Sequence, residues 1–281
     1  MNKVAILGPG LLGGSIALAL RARGIFVSIW ARRQGSADEA MEGGFADEAS
    51  TSLAQVVREA EIVVLCTPIE AMPGLARELV ALLPAGCVIT DVGSVKATVV
   101  TALTAIFEQA YFVGSHPMAG SEQTGMKAAR ADLFSGTVCI VTPNADSNPA
   151  AVALVSSFWE MLGCSVRELT PEMHDAHVAM ISHFPHLLAA SLVDMISEQN
   201  PAALEFCGPG FRDTTRVASG SPALWTGILL SNRDALRKST EAMIEKLREI
   251  LTLLDSQYPD QVMHEFLTQS KALRDSLRLP R

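Results

Sequence analysis

Val4-Ala5-Ile6-Leu7-Gly8-Pro9-Gly10-Leu11-Leu12-Gly13-Gly14-Ser15 opens the chain with an apolar run, then glycines, then a second apolar run. That order is what a dinucleotide pyrophosphate requires of a strand, a turn and a helix. Gly8 permits the tight turn off the strand, Gly10 admits the phosphates to the backbone without a Cβ in the way, and Gly13 lets the helix pack closely on the sheet. The helix N-terminus then presents free N–H groups to the anion. Glycine spacing alone also fits a purely structural turn. The flanking context favours the nucleotide, because Ile16 to Leu20 continues an apolar helix face and Phe26 to Trp30 supplies the second strand of a βαβ unit.

Working outward, the 281 residues fit two domains more comfortably than one core. With 49% hydrophobic and 19% charged residues, the chain can bury a sizeable interior. A formal net charge of -8 argues against a general nucleic-acid binder, so an anionic ligand needs a local cluster of arginines. The five cysteines, Cys66, Cys87, Cys139, Cys164 and Cys207, are widely spaced and form no C-x-x-C pair. They are expected as reduced thiols in a cytoplasmic protein. The first strand begins at about residue 3, leaving no room for a signal peptide. Val178 to Ile196 is the most apolar long run; His183, Pro185, His186 and Asp194 interrupt it, so it reads as a buried helix pair and not as a membrane span.

Ile62 to Leu65 and Val88 to Thr90 are short continuous apolar runs, as expected of parallel strands covered on both faces. Cys66-Thr67-Pro68 and Asp91-Val92-Gly93-Ser94-Val95-Lys96 stop them with polar loops, on the sheet edge where ligands bind. Tyr111 to Val113 and Val138 to Thr142 read as later strands of the same sheet, with His116-Pro117-Met118-Ala119-Gly120 in a loop after the first of them. Ser36-Ala37-Asp38-Glu39 reads as a capping box opening a short helix that Gly43-Gly44 ends. Asn148-Pro149 and Thr170-Pro171 mark helix starts. Beyond about Glu168 the periodicity is helical, with Leu236, Met243, Leu247, Ile250, Leu251 and Leu254 forming a late stripe that suits a core or a partner subunit. Residues 1–170 are therefore read as an α/β Rossmann domain with a doubly wound, mostly parallel sheet, and residues 171–281 as an all-α domain.

Candidate chemistry gathers at the strand ends. An acid at the end of the second strand would bind the 2′-hydroxyl of NAD. The chain has Ile29-Trp30-Ala31-Arg32-Arg33 there, and two guanidinium groups suit the 2′-phosphate of NADP, with NAD as the alternative cofactor if the arginines are merely solvated. His116 can take the proton of an alcohol as a hydride leaves, since its ordinary pKa lies near working pH. Ser94 can share that hydroxyl, and is equally placed to cap a helix starting near Val95. Arg212 and Arg216 lie four apart; on a helix they would share a face and could bind two carboxylates, although unpaired surface arginines are the commoner outcome. His174, His177, His183 and His186 lack the cysteine or carboxylate that would complete a metal site, so no metal is expected.

Taken together, the glycine turn, Cys66-Thr67-Pro68, Asp91-Val92-Gly93-Ser94-Val95-Lys96, His116-Pro117-Met118-Ala119-Gly120, Ser182-His183-Phe184-Pro185-His186 and Gly210-Phe211-Arg212-Asp213-Thr214-Thr215-Arg216 resemble the prephenate/arogenate dehydrogenases of tyrosine biosynthesis. The resemblance runs in order from about Lys3 to Trp225. It implies a Rossmann domain joined to a helical dimerisation domain, with the active site between them and a homodimer built through the C-terminal helices. No fused mutase or regulatory domain is expected, and neither nucleic acid nor membrane as a partner. The family oxidises the ring alcohol of a small cyclohexadienyl dicarboxylate with loss of carbon dioxide. Carried over, His116 is the base and Ser94 its companion, Arg216 and less securely Arg212 hold a carboxylate, and His183 and Trp225 line the pocket. Gly8, Gly10, Leu11, Leu12, Gly13, Arg32, Arg33, Thr67 and Pro68 would contact the cofactor. Rival readings are a β-hydroxyacid dehydrogenase, which would use a catalytic lysine from its helical domain, and a non-catalytic NADP sensor.

Overall fold

The structure, a computed structural model, describes residues 1–107, 111–120 and 123–277. Among these, β1 (Lys3–Leu7), β2 (Phe26–Trp30), β3 (Glu48–Ser50), β4 (Ile62–Leu65), β5 (Val88–Asp91), β6 (Tyr111–Pro117), β7 (Val138–Thr142) and β8 (Ser165–Glu168) form one sheet. Its order is β3-β2-β1-β4-β5-β6-β7-β8, parallel through β6, with β7 antiparallel to β6 and β8 parallel to β7. The strand order reverses between β1 and β4, and a doubly wound sheet binds its ligand at the crevice this opens.

Six helices cover the sheet: α1 (Leu11–Arg21), α2 (Gln34–Glu42), α3 (Leu53–Val57), α4 (Met72–Leu79), α5 (Ala97–Ile106) and α6 (Pro149–Met161). The two-residue period of β1 divides its side chains between two cores. Val4 and Ile6 join Ile16 and Leu20 of α1 and Phe158 and Trp159 of α6. Ala5 and Leu7 join Val56, Leu75, Leu79 and Leu103 on the other face. Asn148 caps α6 by accepting from the Ala150 amide at 2.9 Å, as its position before Pro149 led us to expect.

Two local expectations fail here. Ser36 opens no helix: α2 starts at Gln34 with Arg33 in the N-cap position, and Gln34 Nε2 donates to Asp38 Oδ1 at 2.8 Å across the first turn. His116 lies within β6 and not in a loop after it. Tyr111 to Val113 pair with β5, and Gly114 to Pro117 pair with β7, which carries the strand beyond the end of β5. An antiparallel partner arriving from 21 residues later in the chain leaves no mark in the local pattern around His116. Nor did the sequence reading anticipate the three-residue strand β3.

Under this extension lies a buried polar knot. Lys96 is fully buried; its Nζ pairs with Asp91 and donates to the Ser115 carbonyl at 3.0 Å. Asp91 Oδ1 accepts the Ser115 amide at 3.1 Å, and its Oδ2 accepts the Gly93 amide at 2.8 Å. The Ser115 hydroxyl receives the Trp159 indole N–H at 2.9 Å. The knot ties β5, β6 and α6 together directly beneath His116.

The remaining helices are α7 (Pro171–Val178), α8 (Phe184–Gln199), α9 (Pro209–Thr215), α10 (Pro222–Ser231), α11 (Arg233–Leu254) and α12 (Pro259–Ser276). Thr170 caps α7 by accepting from the Met173 amide at 3.2 Å. The expected buried helix pair proves to be one helix, Pro171–Gln199, with a π turn at Ala179–His183 joining α7 to α8. The wider turn accommodates Pro185, which has no N–H to donate and would otherwise crowd the preceding turn. This helix is long and apolar enough to cross a membrane, yet only 28% of its most apolar window is buried within the chain. Leu247, Leu251 and Leu254 of the late stripe also stand exposed on α11.

Replacing Lys96 by methionine should leave Asp91 as an uncompensated buried charge, a change that costs about 3–5 kcal/mol. Urea unfolding of Lys96→Met is expected to show that loss, and a midpoint close to the wild type would contradict it.

Candidate active site

The glycine turn has the form its sequence implied. Gly8 sits at φ +116, where a Cβ would meet the Cys66 carbonyl oxygen at 2.9 Å, and its amide donates to the Trp30 carbonyl at 3.1 Å. A Cβ on Gly13 would run into the Gly8 carbonyl. Gly10 differs, since a Cβ there would meet nothing within 4 Å. It faces open space at the N-terminus of α1, where no side chain caps the helix. Leu11 and Leu12 pack against the core from the first turn. Beside Gly8, at the end of β4, the buried Thr67 hydroxyl has no hydrogen-bond partner among the described residues, and Pro68 leads into a 3-10 turn at Ile69–Ala71. Open space over a glycine, uncapped amides and an orphaned hydroxyl together fit a pyrophosphate.

At the end of β2, Ala31 is buried and Arg32 and Arg33 are exposed. Neither guanidinium has a hydrogen bond or ion pair among the described residues. Arg33 stands at the N-cap of α2, so both charges flank a second helix N-terminus.

The other half of the site is a group of histidines. His116 Nδ1 lies 2.8 Å from His174 Nε2, and His174 Nδ1 lies 2.8 Å from Asp175 Oδ1. Asp175 also accepts the amides of Lys96 at 2.7 Å and Ala97 at 2.9 Å. The start of α5 is therefore capped by a carboxylate from α7, and Ser94 is not its cap. Asn232 donates its amide to the Asp175 carbonyl at 2.9 Å, and the same nitrogen lies 3.1 Å from His183 Nδ1. With Nδ1 accepting, the His183 proton is on Nε2, a buried atom with no hydrogen bond among the described residues. The Ser94 backbone approaches this ring.

Trp225 stacks on His186 at 3.6 Å between centroids, with an interplanar angle of 12°, and meets His183 edge-on at 6.3 Å. Gly220 makes room, because a Cβ there would press on the indole. On the other side, Gly227 of α10 touches the Glu70 carboxylate, which brings the loop after Thr67 and Pro68 against the helix that carries Trp225. The arginine pair is less regular than expected: α9 ends at Thr215 and Arg216 begins a 3-10 turn, so the two straddle a helix junction. Both are exposed, and the backbone at Val217 reaches His186.

Burial sets the protonation of the group. Desolvation holds His116 well below the ordinary histidine value of 6.5, with further lowering from His174, Lys96 and His183. Desolvation also lowers His174 and His186 and pushes His183 down to about 4. A cluster of neutral, hydrogen-bonding imidazoles results, with acceptor and donor nitrogens available. His174, Asp175, Lys96, Asp91 and Asn232 were not identified as functional from sequence. Asp91 and Lys96 stood within a quoted motif, but nothing in it signalled burial.

The chain is similar to known proteins along both halves. Residues 16–168 match the nucleotide-binding domain of prephenate dehydrogenase, and residues 170–269 match the prephenate dehydrogenase dimerization domain. A cyclohexadienyl dehydrogenase of Zymomonas mobilis is 34% identical over 96% of this chain and 94% of its own. The prephenate dehydrogenase of A. aeolicus, solved with hydroxyphenyl propionate and NAD+, superposes with a TM-score of 0.92 at 31% identity, covering 99% of each chain. A Synechocystis arogenate dehydrogenase superposes with a TM-score of 0.85 at 32% identity, over 97% of this chain and 99% of that one. Matched along both halves in sequence and in fold, the chain belongs to the prephenate/arogenate dehydrogenase family.

Proposed function

We propose that the protein oxidises and decarboxylates prephenate or arogenate with NADP as hydride acceptor, giving 4-hydroxyphenylpyruvate or tyrosine. The observation that carries this reading is the placing of His116, neutral by burial, on a strand extended past the sheet edge that bears the glycine turn. A nicotinamide bound at the glycine turn would supply the acceptor for the hydride that leaves the ring carbon bearing the hydroxyl. His116 takes the hydroxyl proton, and Ser94 helps orient that group. Arg216, aided by Arg212, holds a substrate carboxylate, while His183 donates from Nε2 and Trp225 walls the pocket. Gly8, Gly10, Leu11, Leu12, Gly13, Thr67 and Pro68 bind the dinucleotide. Residues 1–170 serve as the nucleotide domain and residues 171–281 as the substrate and dimerisation domain.

Arg32 and Arg33 support NADP over NAD, because they offer two uncommitted guanidinium groups at a helix N-terminus where Ala31 replaces an acid. The match to a dimerization domain and the exposed apolar residues of α8 and α11 support a homodimer. Crossing prephenate and arogenate against NADP and NAD, with initial rates read at 340 nm, tests the whole reading. Silence in all four combinations, with cofactor still bound, would refute it.

Replacing both Arg32 and Arg33 by alanine should lower kcat/KM for NADP and spare the value for NAD. Equal loss with both cofactors would argue against the 2′-phosphate assignment. Gly10→Ala should leave the melting temperature near the wild type, since its Cβ meets no protein atom, and weaken dinucleotide binding measured by fluorescence titration. Unaltered affinity would move the pyrophosphate elsewhere. His116→Asn should lower kcat by about 10²–10⁴, the usual worth of a general base. Because burial depresses its pKa, His116 stays neutral as the pH falls through 6.5, so the acid limb of kcat/KM should lie below that value. An acid limb above 6.5 would contradict the assignment.

A further inference from the structure

We infer that His174 and Asp175 form a hydrogen-bonded relay that fixes the tautomer of His116, placing its ring proton on Nδ1 and the lone pair on Nε2. Both are positioning residues; neither needs to touch substrate. The direction of each bond follows from the one before it. Asp175 is met by two backbone donors, Lys96 N–H at 2.7 Å and Ala97 N–H at 2.9 Å, so its oxygens act as acceptors. The 2.8 Å contact with His174 Nδ1 therefore places the proton on that nitrogen. A neutral His174 then has only a lone pair on Nε2, and across the second 2.8 Å contact His116 Nδ1 must donate. What remains on His116 is an acceptor at Nε2, which makes no hydrogen bond to any described residue.

The reverse arrangement would need a doubly protonated His174 with His116 Nδ1 accepting. That puts an imidazolium in a buried site close to the Lys96 ammonium. Asp175 favours such a charge, but desolvation is the larger influence and opposes it. The relay also has a task during turnover. When His116 Nε2 receives the hydroxyl proton, the ring becomes an imidazolium whose Nδ1–H already points at His174, and the Asp175 carboxylate lies beyond on the same line of bonds. No proton need leave His116 Nδ1. The relay lowers the cost of the charge and holds the ring in one orientation.

The inference rests on His116 as the base for its kinetic consequence and on the hydrogen-bond geometry for the tautomer, so the two are read separately. Long-range 15N–1H spectra of the imidazole rings in the substrate-free wild type should assign His116 as the Nδ1–H tautomer. An Nε2–H tautomer there overturns the relay whatever the rates. His174→Leu removes the acceptor and should shift His116 toward Nε2–H. Its kcat should fall on the order of 10²–10⁴-fold, the usual worth of a general base, with KM and cofactor affinity nearly unchanged. His174→Gln offers an amide oxygen to the same N–H and should recover most of that loss. Equal losses in the glutamine and leucine variants, or a loss confined to KM, overturn the relay. If the leucine variant does not fold, the wild-type tautomer and the glutamine variant still decide. Undiminished turnover in His116→Asn would remove the base assignment while the tautomer measurement stood on its own.

Discussion

The carboxylate of Asp175 is one place where the two halves of the protein meet, and the chain of hydrogen bonds that reaches His116 starts from it. It belongs to α7, yet it accepts the first amides of α5, a helix of the nucleotide domain, and it also accepts the ring N–H of His174. A helix N-terminus favours negative charge, and a carboxylate that caps it is held by two backbone donors at once. Held in this way, the group cannot turn without uncapping α5. His174 inherits that rigidity and passes it to His116, so a contact that looks structural also orients the ring proposed as the base.

Beneath His116 the same economy recurs. Lys96 and Asp91 neutralise each other inside the core, and their remaining hydrogen-bonding capacity goes to Ser115 and Gly93. A buried ion pair is weak evidence for stability in general. Here it has a definite position, holding the end of β5 to the strand that carries the histidine. The protein as a whole is acidic, with a net charge of -8, and the arginines assigned to anions stand at two separate places, Arg32 and Arg33 at the end of β2, Arg212 and Arg216 beside α8.

Much of this was legible in the sequence, and the unread parts share a cause. Strands covered on both faces announce themselves as apolar runs, and Phe26–Trp30 and Ile62–Leu65 begin and end where the pattern does. The glycine turn was readable because Gly8 and Gly13 answer local steric demands and Gly10 stands over open space. By contrast, the extension of β6 depends on pairing with β7, and the cap on α5 lies 79 residues from Lys96. Local sequence carries no record of either. His174 was noticed only as a candidate metal ligand, since histidine spacing along a helix does not reveal which ring meets a strand from the other domain. Ser36 misled for a related reason: a capping box is a local motif, and α2 takes Arg33 as its N-cap, three residues before Ser36.

The π turn between α7 and α8 adds one residue to the helical path and absorbs it in a wider turn, so that the helix keeps its azimuth. Each residue of an α-helix advances the side-chain direction by about 100°. Upstream of the turn, His174 and Asp175 face the nucleotide domain; downstream, His186 faces Trp225 while Leu188 and Met195 look outward. Deleting one residue from Ala179–His183 would let the wide turn close into regular α form with the faces after it nearly kept, whereas deleting one from the regular turns of α7 would swing everything after it by roughly that angle. The apolar surface of α8 and the histidine stack would then point the wrong way together, although no side chain in either had been altered. In this helix the residue count through the regular turns is itself a structural specification.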